Sequence, residues 1–303
     1  MLSRMVRSIY NTIISDIVTN IETISAYYWT FFEAVRAVGK LKENGGNGED
    51  AKKYIDRLKL IENKMLTGEG DVEIYKIDNT KSVYARVSQI RRSPIIVMGP
   101  PGVGKSETIQ NLAEQKIEDE NGNVKTFGMR FKEEVSNIIS SHIIGKFYNA
   151  YEIKEVGDVI DSRVSEIVYD FVKYMENIEL RVLTTTLSQL KQWQIAGIVT
   201  IRDIGYDLEE TAVDIGKGIA YSITKNARAD EMIVPNFYPS FSDVLERKPI
   251  YWVWFLDELV NTFPENMPLI NQLLVEGQIS NNSLGPNLTI VSAGNPFFGF
   301  NGT

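Results

Sequence analysis

Eight consecutive residues, Gly99 to Ser106 (GPPGVGKS), carry the densest chemistry in this sequence. They fill every fixed position of the pattern G-x-x-x-x-G-K-[ST], in which a glycine-rich loop turns successive backbone N–H groups toward phosphate oxygens. Gly99, Gly102 and Gly104 admit backbone conformations closed to residues with a Cβ. Lys105 would reach the β- and γ-phosphates of a nucleoside triphosphate, and the Ser106 hydroxyl would ligate Mg²⁺. The nucleotide-contacting set is then Gly99, Pro100, Pro101, Gly102, Val103, Gly104, Lys105, Ser106 and Glu107. So short a pattern also arises by chance in loops, but its neighbours weigh against that. Ile95-Ile96-Val97-Met98 reads as a short buried strand and Glu107 to Lys116 as a helix, whose N-terminal partial positive charge adds to an anion site.

Two later stretches supply what a phosphate loop lacks. Tyr251 to Leu256 (YWVWFL) is a near-continuous apolar run, as expected of a strand buried on both faces of a parallel sheet, and it ends in Asp257-Glu258. Acids at that point stand at the carboxyl edge of the sheet, where open α/β sheets bind ligands. Asp257 would hold Mg²⁺ through its water shell, and Glu258 would act as general base on the water that attacks the γ-phosphate. Leu288 to Val291 is another β-like run, leading to Ala293-Gly294-Asn295-Pro296. The Asn295 amide at its end can hydrogen-bond both attacking water and γ-phosphate, although Asn-Pro is also a turn former. Lys105, Glu258 and Asn295 are thus the catalytic candidates, and Ser106 and Asp257 the metal ligands.

The elements that must position these residues follow from periodicity. Residues 1 to about 40 place Ile9, Ile13, Ile17, Ile21 and Ile24 on one helical face. Gly45-Gly46-Asn47-Gly48 breaks the pattern, a second helix is expected over Asp50 to Met65, and Gly68-Glu69-Gly70 ends it. The aromatic cluster Tyr27, Tyr28, Trp29, Phe31 and Phe32 is read as helix core rather than a docking face. A strand is expected over Asp71 to Ile77, a helix over Lys81 to Arg92, a turn over Glu118 to Gly122, a strand over Val124 to Phe131 and an amphipathic helix over Asp158 to Glu176. The next core strand is Leu180 to Thr185. The chain therefore divides into an N-terminal helical region, 1–70, and an α/β nucleotide-binding core, 71–303, with a largely helical insertion over about 117–178.

Composition narrows the chemistry. A chain of 303 residues with 43% hydrophobic and 24% charged residues can bury a substantial core as a globular protein. With no cysteine and His142 as the sole histidine, thiolate metal sites, cysteine nucleophiles and multi-histidine metal sites are excluded. A formal net charge of −8 argues against bulk attraction to nucleic acid or anionic membrane. The run Ala26 to Phe32 is too short to cross a bilayer, so no membrane span or cleavable signal is expected and a cytoplasmic location is the default.

The order GPPGVGKS, FLDE, SAGNP resembles the AAA+ ATPases. The stretch FLDELVNTFPENMPLINQLLVEGQIS is similar to the MoxR and dynein-related branch, in which an acidic pair is followed by an Asn, a Pro, a helix with a Leu-rich face and a Glu-Gly turn. Leu187 to Ile198 (LSQLKQWQIAGI) resembles that branch's segment after the second core strand, with Gly197 at the matching glycine. The resemblance runs from about Lys81 to Pro296, less the insertion. It implies a P-loop NTPase core of three layers around a parallel sheet, with ATP as the nucleotide and Mg²⁺ as cofactor. Lys105 and Ser106 would lie on phosphate and metal, Asp257 on Mg²⁺, Glu258 would be the base and Asn295 the first sensor. It also implies a ring of like subunits, usually a hexamer, remodelling a protein partner that in this branch often bears a von Willebrand factor A domain. The family's arginine finger, second sensor and helical lid have no matching sequence, so weak turnover and a fragment of a longer protein are expected. A DNA-dependent motor or initiation ATPase, and an assembly module that binds nucleotide without cycling, are the alternatives; small-molecule kinases share the loop but lack the acid pair and sensor.

Overall fold

The computed structural model describes residues 2–43, 60, 64, 68–76, 82–118, 122–150, 162–187, 198–199, 221–222, 232–235, 248–262, 264–279 and 282–295. All of the expected helix Asp50 to Met65 but Leu60 and Lys64, and most of Leu187 to Ile198, lie outside them.

Four parallel strands form the centre: β3 (Ile95–Met98), β6 (Glu179–Thr186), β10 (Ile250–Asp257) and β13 (Leu288–Gly294), in the spatial order β3-β13-β10-β6. The protein is thus of α/β class with a parallel sheet. Both faces are covered, which is why β10 reads as unbroken apolar sequence. Tyr251, Val253 and Phe255 enter the core on one face, and Trp254 and Leu256 that on the other. Two polar pairs lie within the sheet: Tyr251 Oη lies 2.8 Å from Thr289 Oγ1, and Trp254 Nε1 donates to Thr185 Oγ1 at 2.9 Å.

The larger core joins that first face to four long helices. α1 (Leu2–Thr19) and α2 (Ile21–Glu43) come before the sheet in sequence, whereas α4 (Phe127–Ala150) and α5 (Ser162–Met175) lie between β3 and β6; α3 (Lys105–Gln110) is the short helix after the phosphate-type loop. Ile9, Ile13, Ile17 and Ile24 are buried as their spacing requires. The aromatic cluster is core: Tyr27, Tyr28, Trp29, Phe31 and Phe32 are all buried, with Trp29 in ring contact with Phe32, Tyr75, Phe147 and Phe171. The two N-terminal helices part at Asn20. Its side-chain amide donates to Asp16 O (2.7 Å) and Arg91 O (2.6 Å) and accepts from Arg91 N (2.8 Å), so one side chain at the junction ties the helices to the approach of β3, while the backbone bonds Asn20 N to Asp16 O and Ile24 N to Asn20 O carry the ladder through it. Asp16 Oδ2 accepts the next-but-one amide, Ser93 N, at 3.2 Å.

Three expectations need correction. Residues 82–86 are not helical but form β2 (Ser82–Arg86), antiparallel to β1 (Asp71–Lys76), with Val83, Ala85 and Val87 buried and Tyr84, Arg86 and Ser88 exposed. That is a period of two, not 3.6. The strand expected over Val124 to Phe131 stops at Thr126: β5 (Val124–Thr126) pairs with β4 (Lys116–Glu118), and Phe127 begins a helix of 24 residues. Thr126 Oγ1 caps that helix by accepting Met129 N at 3.2 Å. The helix after the loop closes at Gln110, followed by a 3₁₀ turn, Leu112–Glu114, rather than running to Lys116. The amphipathic helix and the strands at 71, 180, 251 and 288 fall within a few residues of expectation.

A smaller core covers the opposite face, where Ile270, Leu273 and Leu284 meet Trp254, Leu256 and Ile290. Its covering residues come from α6 (Met267–Asn271), the π-helical turn Gln272–Glu276 and Leu284, which follows the hairpin of β11 (Gln278–Ile279) with β12 (Asn282–Ser283). Gly277, at φ 64°, ends the turn, and Arg92 fills the space a side chain would need there, its guanidinium donating to Leu284 O at 2.6 Å and to Gly285 O. Three short strands, β7 (Ile198–Val199), β8 (Tyr221–Ser222) and β9 (Met232–Pro235), make a separate antiparallel sheet. No helix among the described residues is long and apolar enough to cross a membrane.

Candidate active site

The sheet order decides which residues meet. β13 lies between β3 and β10, so its carboxyl end stands between the glycine-rich loop and the acid pair. Here the chain forms a cleft of about 270 Å³ lined by Pro101, Gly102, Val103, Gly104, Lys105, Ser106, Glu107, Asp257, Glu258, Val260, Asn261, Ala293, Gly294 and Asn295. A second concavity of about 300 Å³, between the β4–β5 hairpin and α4, is chemically poorer. Its charges satisfy one another, Lys125 with Glu133 at 2.5 Å and Arg130 with Glu134 at 3.7 Å.

The loop is held open by two glycines rather than three. Gly102 (φ 77°) and Gly104 (φ 79°) are left-handed, whereas Gly99 is not, and a Cβ on Gly99 would meet Lys105 Cδ at an ordinary 3.5 Å. Gly99 and Pro100 do not line the cleft; their carbonyls hold the lysine. Lys105 Nζ donates to Gly99 O (2.8 Å), Pro100 O (2.8 Å) and Asn295 Oδ1 (3.1 Å), so the two catalytic candidates from opposite ends of the fold are in direct contact. An ammonium with its three donors so oriented is a point charge aimed at the loop.

Ser106 and Asp257 are joined as well: Ser106 Oγ donates to Asp257 Oδ1 at 2.9 Å. A hydroxyl and a carboxylate converging in this way are the hard oxygen donors that Mg²⁺ prefers, so the residues present fit that ion. Electrostatics agree. Glu107, Asp257 and Glu258 share the cleft with one ammonium, Lys105, a balance of charge that a divalent cation would offset.

Glu258 is the one non-glycine residue with positive φ among those described (φ 57°, ψ 39°). A left-handed conformation costs a glutamate about 1–2 kcal/mol, and such strain is kept where the surroundings impose it. Here the Glu258 N–H donates to Asp257 Oδ1 (2.9 Å) and its carbonyl accepts Asn261 N (2.9 Å), closing the 3₁₀ turn Leu259–Asn261. The bend turns the chain off the strand so that Glu258, Val260 and Asn261 all reach the cleft.

All the sequence candidates therefore fall at one sheet edge. Val260 and Gly294 lie there too, although neither was singled out: an aliphatic side chain and a glycine at strand ends carry no pattern of their own. Comparison with family models, with curated proteins and with solved structures gives no match, so what the cleft can do is decided by its own geometry.

Proposed function

We propose that this chain binds and hydrolyses ATP with Mg²⁺ as an ATPase of the AAA+ type, MoxR-like, acting within a ring to remodel a protein partner. One observation carries the reading: Lys105, Ser106, Asp257 and Asn295, up to 190 residues apart in sequence, are hydrogen-bonded in pairs around a single cleft at the carboxyl edge of a parallel sheet. The N–H groups of the Gly102–Ser106 segment receive phosphate oxygens. Lys105 neutralises charge on the β- and γ-phosphates as it develops. Ser106 and Asp257 would hold Mg²⁺, which would supply Lewis-acid stabilisation of the phosphate charge. Glu258 takes a proton from water as the water oxygen bonds to the γ-phosphorus; the bridging P–O bond breaks and its electron pair leaves with ADP. Asn295, already within reach of Lys105, orients the water and reports the γ-phosphate.

The test is binding and turnover by the full chain at several protein concentrations, with its mass in solution recorded. Glu258→Gln is expected to retain ATP while turnover falls about 10²- to 10⁴-fold, the usual worth of a general base. Lys105→Ala loses binding. Turnover per subunit that rises with concentration marks the ring. Tight binding without turnover in the unaltered chain replaces this reading with that of a nucleotide-gated assembly module, and salt-sensitive stimulation by DNA replaces it with that of a DNA-dependent motor.

A further inference from the structure

The turn that carries Glu258 packs on the strand that carries Asn295, with Leu259 in one core with Leu288 and Ile290, and its tightest approach to that strand is at Gly294. A Cβ built on Gly294 would stand 2.5 Å from Val260 Cγ2 and 3.2 Å from Met98 Sδ. Gly294 is not left-handed, so its missing side chain serves close approach and not backbone freedom. Its carbonyl accepts the Gly99 amide (3.4 Å), which makes it the point where the phosphate loop, the strand end and the acid-pair turn touch. Val260 cannot easily recede. It is β-branched and stiff at χ1, and it sits in a turn locked by the Asn261 N to Glu258 O bond and by the Glu258 N–H on Asp257.

We propose that Val260 and Gly294 are a positioning pair whose contact sets the separation of the Glu258 carboxylate from the Asn295 amide across the cleft. Neither touches reacting atoms; both act through their neighbours, and the inference rests on the ATPase reading above. Bulk at 294 pushes the turn away from the strand, lengthening the gap between base and sensor while leaving the Lys105 and Gly102–Gly104 contacts with phosphate in place. Removing the Val260 methyls makes room for that bulk.

The experiment is a double-mutant cycle with Gly294→Ala and Val260→Ala, read as kcat, as affinity for a fluorescent ATP analogue, and as melting temperature. Gly294→Ala is expected to lower kcat by about tenfold or more with affinity changed by less than about threefold, the pattern of misplacement rather than lost binding. Val260→Ala alone lowers kcat by a smaller factor, and the double variant recovers most of what Gly294→Ala loses. A folded Gly294→Ala protein with unaltered kcat overturns the pairing, as does a folded double variant no faster than Gly294→Ala. If Gly294→Ala alone is insoluble, a soluble and active double variant supports the pairing and an insoluble one overturns it. Absence of turnover in the unaltered chain removes the ATPase reading and this inference together, whereas turnover without rescue removes this inference alone.

Discussion

At the scale of single residues, the three glycines of the loop make a discriminating set. Gly104→Ala forces a side chain into a left-handed conformation at a cost of about 1–2 kcal/mol, roughly a tenfold loss of nucleotide affinity if the loop relaxes instead. Gly99→Ala meets only ordinary contact and should bind within about threefold of the unaltered chain, as isothermal titration would record. His142 gives a pH dependence away from the cleft. Burial holds its pKa below the ordinary 6.5, with the Lys146 ammonium adding to the effect and Glu22 opposing it. The fold therefore favours the neutral imidazole: the stability this provides is complete above pH 6.5 and is lost as pH falls through the depressed value. Melting temperature should drop more steeply from about pH 7 to pH 5 in the unaltered chain than in His142→Gln.

At the scale of elements, local signals were legible and ambiguous windows were not. The phosphate loop, the strand at 250–257 with its acid pair, and the strand at 288–294 could be read because motif and apolar run coincide within ten residues. Over 81–92 two periods fit equally: Val83, Val87 and Ile90 suit a helix, Val83, Ala85 and Val87 a strand, and only pairing with β1 decides between them. The helix at Phe127 was missed because its signature, Phe127, Phe131, Val135, Ile139, Ile143 and Phe147 at steps of four, shows only over a window longer than the β-like start. The contact of Val260 with Gly294 was beyond reach, since it exists only through space. Asn20 is the element-scale test. Its amide makes both a donor and an acceptor bond to Arg91, so Asn20→Ala removes two part-buried hydrogen bonds and should cost about 0.5–1.5 kcal/mol for each in chemical denaturation. Asn20→Asp keeps the acceptor alone and should fall between.

For the whole molecule, the helices at 2–43 are not an appendage. They share one continuous core with α4, α5 and a sheet face, and Tyr28 Oη donates to Ile250 O at 2.9 Å, tying α2 to the start of the acid-pair strand. Trp29 is fully buried and its indole N–H donates to Ile74 O at 2.8 Å. Trp29→Ala should therefore cost about 3–5 kcal/mol and lower nucleotide binding with it, in a single unfolding transition rather than two. The sheet order also has a consequence for biosynthesis. Ile95 and Ser292, neighbours in the sheet, are 197 residues apart. At about 5–20 residues per second, a ribosome takes roughly ten to forty seconds to make the strand that the phosphate-loop strand must pair with. Throughout that interval β3 lacks β13, its one partner among the described strands, and the cleft lacks the wall that β13 carries. A nascent chain arrested anywhere short of β13 should be unable to retain nucleotide, however well its helices have formed.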